Sequence, residues 1–151
     1  MPLIRLDMVR GRSPETKRRI ADVCHGVMRD VFAAPEGDRY QIITEHEVGD
    51  IIAEDTGLGL ERSSEGVLIV SVTQQGRSLA QKEAMYRALA ERLDEAGLVR
   101  PEDLIVSVSA NTLEDWSFGS GRAQFLTGEL GRGDDDGPRA DDPPAHSEKM
   151  S

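Results

Sequence analysis

Thiol chemistry is nearly absent from this 151-residue chain, which has one cysteine, Cys24. That excludes an internal disulfide framework and agrees with a reducing compartment, so a cytoplasmic location is expected. Cys24 falls within an apolar helical stripe and reads as an inert buried thiol rather than a nucleophile. Long hydrophobic runs are also missing. Runs such as Gly66–Val70 and Leu104–Val106 are far too short to span a bilayer. No charged segment leads into an apolar stretch at the start, so no secretory signal is expected. Positive charge is scarce: the net charge is −10. That argues against a nucleic-acid or anionic-membrane binder, and an anion would have to be held by a few local cations. His25, His46 and His146 are too dispersed for a metal site, and no Ser-His-Asp or Cys-His pattern stands out. Neither a metal nor a cofactor is expected.

What the chain has instead is an internal duplication. Leu3–Val9 is an apolar run followed by Gly11-Arg12-Ser13-Pro14, and Val67–Thr73 is another followed by Gly76-Arg77-Ser78-Leu79. Each copy reads as strand, Gly-Arg-Ser, then helix start, with Ser13 and Ser78 as N-caps. The first helix carries Ile20, Val23, Cys24, Val27, Met28 and Val31 at three- and four-residue steps. The second carries Leu79, Ala80, Met85, Leu89, Leu93 and Ala96, less regularly, and ends near Gly97. Second strands follow at Tyr40–Glu45 and Leu104–Ser109.

The expected fold is therefore α/β: two β-α-β units, about 2–64 and 65–130, forming a four-stranded sheet with two helices on one face. The first strands of the two units are expected to run antiparallel, side by side, about a pseudo-two-fold. Glu47–Ser64 links the halves and has room for a short hairpin. Its Asp55-Thr56-Gly57-Leu58-Gly59 does not sit between a strand and a helix, so it is not a phosphate loop. Residues 131–151 are rich in Gly, Pro and Asp, and a disordered acidic tail is expected.

Pro2 is the residue with most chemical promise. Removal of Met1 would leave it a free secondary amine, a group that ordinarily titrates near pH ~8. Such an amine can serve as base, acid or nucleophile. Otherwise Pro2 merely starts a strand. By the repeat, Gln75 and Arg77 lie at the end of the neighbouring strand, close to Pro2. Arg77 there suits a substrate carboxylate, or else it only starts a helix, as Arg12 does. Asp38, in Pro35-Glu36-Gly37-Asp38, is either a turn former or a carboxylate that acts on water or on Pro2. Of six aromatic residues, Trp116, Phe118 and Phe125 crowd one glycine-rich stretch. Rings so placed plug a core, wall a pocket or meet another subunit.

Several blocks resemble the tautomerase superfamily and, within it, the malonate semialdehyde decarboxylase group. They are Met1-Pro2-Leu3, Asp38-Arg39-Tyr40-Gln41, Asp55–Gly59, Arg77-Ser78 with Gln81-Lys82, and Asp115–Gly119 continuing through Leu130. The resemblance spans residues 2–130. It implies a homotrimer of the duplicated fold, Pro2 as catalytic residue, Asp38 as essential carboxylate and Arg77 as carboxylate binder. It also implies an apolar pocket wall of Trp116, Phe118, Phe125 and Leu130. One departure is Gln75, where the decarboxylases carry a second arginine. The implied activity is cofactor-independent decarboxylation of a small β-oxo acid such as malonate semialdehyde. A keto–enol tautomerase or hydratase of small 2-oxo or unsaturated acids, and a non-catalytic trimeric binding protein, are the alternatives.

Overall fold

The computed structural model of the protein describes residues 2–130, so the tail lies outside the described residues. Residues up to Thr112 form one compact unit and Leu113 begins another. The first unit runs β1 (Leu3–Val9), α1 (Pro14–Asp30), β2 (Tyr40–His46), β3 (Leu68–Gln75), α2 (Leu79–Glu95) and β4 (Leu104–Asn111).

The strand order is β2-β1-β3-β4. β1 pairs with β2 in parallel and β3 with β4 in parallel, while β1 and β3 are antiparallel with Leu3 opposite Thr73. This is the expected doubled β-α-β sheet with its pseudo-two-fold between the central strands. The helices start where the serines predict. Ser13 Oγ accepts from the Thr16 N–H at 3.1 Å, and Ser78 with Gln81 forms a complete capping box. Such caps stabilise a helix by about 1 kcal/mol each.

Strand alternation puts Ile4, Leu6 and Met8 of β1, and Leu68, Val70 and Val72 of β3, under the helices, all nearly or fully buried. Against them pack Ile20, Cys24, Val27 and Met28 of α1 and Met85, Leu89 and Leu93 of α2. Each fully buried side chain of this size contributes roughly 1.5–3 kcal/mol of transfer free energy. The α2 stripe is narrower than its sequence suggested, because Leu79 stays 72% exposed in the first helical turn, clear of the core. No helix among the described residues is long and apolar enough to cross a membrane.

The short hairpin for which Glu47–Ser64 has room does not form; that segment contains no strand among the described residues. Local polar bonds shape it instead. The Asp55 carboxylate accepts from the Gly57 and Gly59 N–H groups, both at 3.1 Å. Arg62 ties the segment down through the Glu54 and Glu102 carbonyls. Where it meets β3, Gly66 has no room for a side chain: a Cβ would lie 2.7 Å from Asp103 Oδ2 and collide with Ser63 Oγ. Gly66→Ala is expected to destabilise the protein by about 1–3 kcal/mol, read as a lower denaturant midpoint with unchanged slope.

The second unit holds a 3-10 turn at Leu113–Asp115 and a four-residue helix, α3 (Gln124–Thr127), where no regular period was visible. Gln124 organises this stretch. Its Oε1 accepts from the Phe118 N–H at 2.9 Å, and its Nε2 donates to the Gly119 carbonyl at 2.7 Å.

Candidate active site

The sheet register assembles one end of the first unit. Leu3 pairs with Tyr40 on one side and Thr73 on the other. Continued one step outward, the register sets Pro2 level with Arg39, just ahead of β2, and with Gln74 of β3, and Asp38 and Gln75 come next in the chain. Pro2 is buried, and Asp38, Gln74 and Gln75 are 6%, 1% and 8% exposed. Four polar or basic-capable groups buried together are costly unless each finds a partner.

Asp38 is held in place by its neighbours. Arg39 Nε donates to Gln41 Oε1 and Nη2 to Asp22 Oδ1, both at 2.7 Å, while Gln41 Nε2 donates to the Ala21 carbonyl at 2.8 Å. These bonds clamp the start of β2 to α1. Burial pushes the Asp38 carboxyl above its ordinary pKa, opposed by the positive charge at the amino terminus and by His25. His25 is shifted down, by burial first and then by Arg39 and Arg29, with Asp22 and Asp38 opposing. Cys24 fits the inert reading: burial pushes its thiol up to about 12.

Gln74 is the residue that sequence reasoning passed over. It continues the buried parity of Val70 and Val72, yet carries an amide, and neither amide atom has a hydrogen-bond partner among the described residues. An unsatisfied buried amide calls for a ligand or water. A polar residue at a core-facing strand position was the available signal.

Arg77 follows β3 and is half-buried. Its Nε donates to the Phe32 carbonyl at 3.1 Å, and its Nη1 to the carbonyls of Gln75 and Gly76, both at 3.2 Å. The guanidinium also lies 5.5 Å from the centre of the Phe32 ring. These contacts fasten the end of β3 to the end of α1.

In the second unit, Trp116 and Phe118 stack at 5.3 Å, and Phe125 meets Phe118 edge-on at 5.6 Å. All three rings and Leu130 remain half-exposed.

This arrangement has close counterparts among known proteins. Two family models, both described as tautomerase enzymes, match residues 38–119 and 2–61. "Probable tautomerase YrdN" of Bacillus subtilis (strain 168) is 45% identical over 130 residues, covering 86% of this chain and all of the relative. A solved malonate semialdehyde decarboxylase is 41% identical, with a TM-score of 0.81 over 85% of this chain and 98% of that one. The FG41 malonate semialdehyde decarboxylase inhibited by 3-bromopropiolate is 44% identical, with a TM-score of 0.83 over 87% of this chain and 99% of that one. With its doubled β-α-β sheet and the Pro2 end built as described, this chain belongs to the tautomerase superfamily and to its malonate semialdehyde decarboxylase-like family.

Proposed function

We propose that the protein is a cofactor-independent decarboxylase of a small β-oxo acid such as malonate semialdehyde, with Pro2 as its catalytic amine. The observation that carries this reading is the gathering of buried Pro2, Asp38 and the unpartnered Gln74 amide at one end of the sheet. The likeness to two malonate semialdehyde decarboxylases supports it.

The chemistry follows from charge. The bond between the carboxylate carbon and the methylene carbon breaks, carbon dioxide leaves, and the electron pair moves into an enolate. A cation beside the carbonyl oxygen stabilises that developing charge. A carboxylate next to an amine favours its protonated form, so Asp38 equips Pro2 for this task. Protonation of the enolate carbon then yields acetaldehyde. Gln74 and Gln75 orient the substrate carboxylate by hydrogen bonding. Arg77 adds positive charge at the rim and holds Gln75 in place through the backbone. The same reading makes Trp116, Phe118, Phe125 and Leu130 the apolar wall; in support, the rings cluster yet stay half-exposed. Self-assembly as a homotrimer belongs to this proposal, supported by Tyr40 and Ile42, about 40% exposed on the sheet face that the helices leave open.

A keto–enol tautomerase is the second reading, favoured by the description of the Bacillus subtilis relative. Product analysis by proton NMR separates the two. Malonate semialdehyde should give acetaldehyde and carbon dioxide in equal amounts. Ketonisation of an enol without any turnover of malonate semialdehyde would replace the decarboxylase reading with the second one.

A further inference from the structure

At the opposite end of the sheet the duplication places a second set of the same residue types. Arg12 follows β1 as Arg77 follows β3, each ahead of a serine-capped helix. Val67 and Leu68 lead into β3 as Pro2 and Leu3 lead into β1, and an aspartate stands ahead of each second strand, Asp38 two residues before β2 and Asp103 one before β4. Because β1 and β3 are antiparallel, this second set collects at the far end from Pro2. A cavity of about 270 Å³ opens there, with Arg12, Ser63, Gly66, Val99, Arg100 and Asp103 in its lining.

The charges in this cavity are unevenly satisfied. Asp103, 2% exposed, has both oxygens engaged by Ser63: Oδ1 by the backbone N–H at 2.7 Å and Oδ2 by the hydroxyl at 2.6 Å. Arg12 Nη2 donates to the Gly66 carbonyl at 2.8 Å, but its buried Nη1 has no acceptor among the described residues. Burial lowers the Arg12 pKa and Asp103 only partly opposes this. A guanidinium nonetheless stays charged near neutral pH. Arg100 also lines the cavity, holding the Glu61 carbonyl and Glu102 Oε2 at 3.3 Å each, long for charge-assisted bonds. It can be drawn to a better acceptor.

We propose that this cavity is a second ligand site, which takes a short-chain carboxylate between Arg12 and Arg100. A buried N–H without an acceptor calls for an ion or a water, and because the Asp103 oxygens are bonded to Ser63 rather than to Arg12 Nη1, an oxygen acceptor between the two guanidinium groups would complete it. The planar carboxylate suits the parallel N–H pairs of a guanidinium. The volume is roughly nine times the ~30 Å³ that a water occupies in the liquid, and it falls below that of drug-sized pockets. Asp94, also in the lining, disfavours larger polyanions. The site binds without reacting: at the position that Pro2 holds at the other end, Val67 has only a peptide nitrogen.

Amide NMR on the full-length protein tests this, with sodium malonate titrated against sodium chloride at equal ionic strength. Saturating shifts are expected at Gly66, Gly97 and Val99, while Leu3 and Gln74 report separately on the Pro2 end. Arg100→Gln should weaken the far-end response at least about tenfold, the usual scale for losing a hydrogen bond to a charged group. Arg12→Gln should abolish it. Should Arg12→Gln fail to fold, Arg100→Gln decides the matter. Far-end shifts no larger than chloride produces, or shifts unchanged by Arg100→Gln, would mean that Arg12 meets only water, and would overturn the proposal.

Discussion

Pro2→Ala is expected to lower kcat/KM for malonate semialdehyde by about 100-fold or more, the scale on which a positioned acid or base contributes. The substitution keeps an amine at the terminus, so what is lost is its placement. The pyrrolidine ring fixes φ near −65° and ties the nitrogen to the strand direction, whereas an alanine amine rotates freely. Alanine also suits the first position of a strand, so the melting temperature should move little. Steady-state kinetics with a thermal melt on the same sample read both. Near-normal turnover in Pro2→Ala would return Pro2 to the role of a strand opener.

Asp38→Asn should have a comparable effect on turnover and the reverse effect on stability. The native state raises the Asp38 pKa, burial being the largest cause, so folding favours the protonated carboxyl. Between its unfolded pKa, about 3.9, and its higher folded one, the native state binds more protons than the unfolded state. Stability from this group is therefore present at low pH and lost as pH rises through that window. The asparagine variant does not ionise. The two proteins should be equally stable near pH 3, and Asp38→Asn should be the more stable at pH 7, as measured by denaturant unfolding at matched protein concentration. Kinetics should show the variant about 100-fold or more slower. A variant that loses both activity and stability at pH 7 would make Asp38 a structural turn residue.

These two residues were legible in the sequence for different reasons. The duplication announced itself through local chemistry: strand alternation, then Gly-Arg-Ser, then an apolar stripe. Those signals need no tertiary information, and the antiparallel meeting of β1 and β3 follows from repeating the unit. Local sequence left Asp38 as either a turn former or a working carboxylate, because its burial depends on the clamp between Arg39, Gln41 and α1. Gln74 was hidden for a similar reason. Its importance lies in parity and register, which put an amide among Val70, Val72 and Pro2 without an internal partner. The carbonyl of Phe32 that receives Arg77 lies 45 residues earlier in the chain, beyond any local pattern. The missing hairpin is the opposite case. Turn-forming glycines were present, but Asp55 spends their N–H groups on its own carboxylate.

If a free Pro2 amine does the chemistry, its protonation and turnover must move together. Nitrogen NMR of selectively labelled proline follows the Pro2 amine through a pH titration while decarboxylation is assayed on the same preparation. A titrating secondary amine is expected, with turnover falling as that amine loses its proton. A chain that retains Met1 and is still fully active, or a pH profile that ignores the amine midpoint, would contradict it.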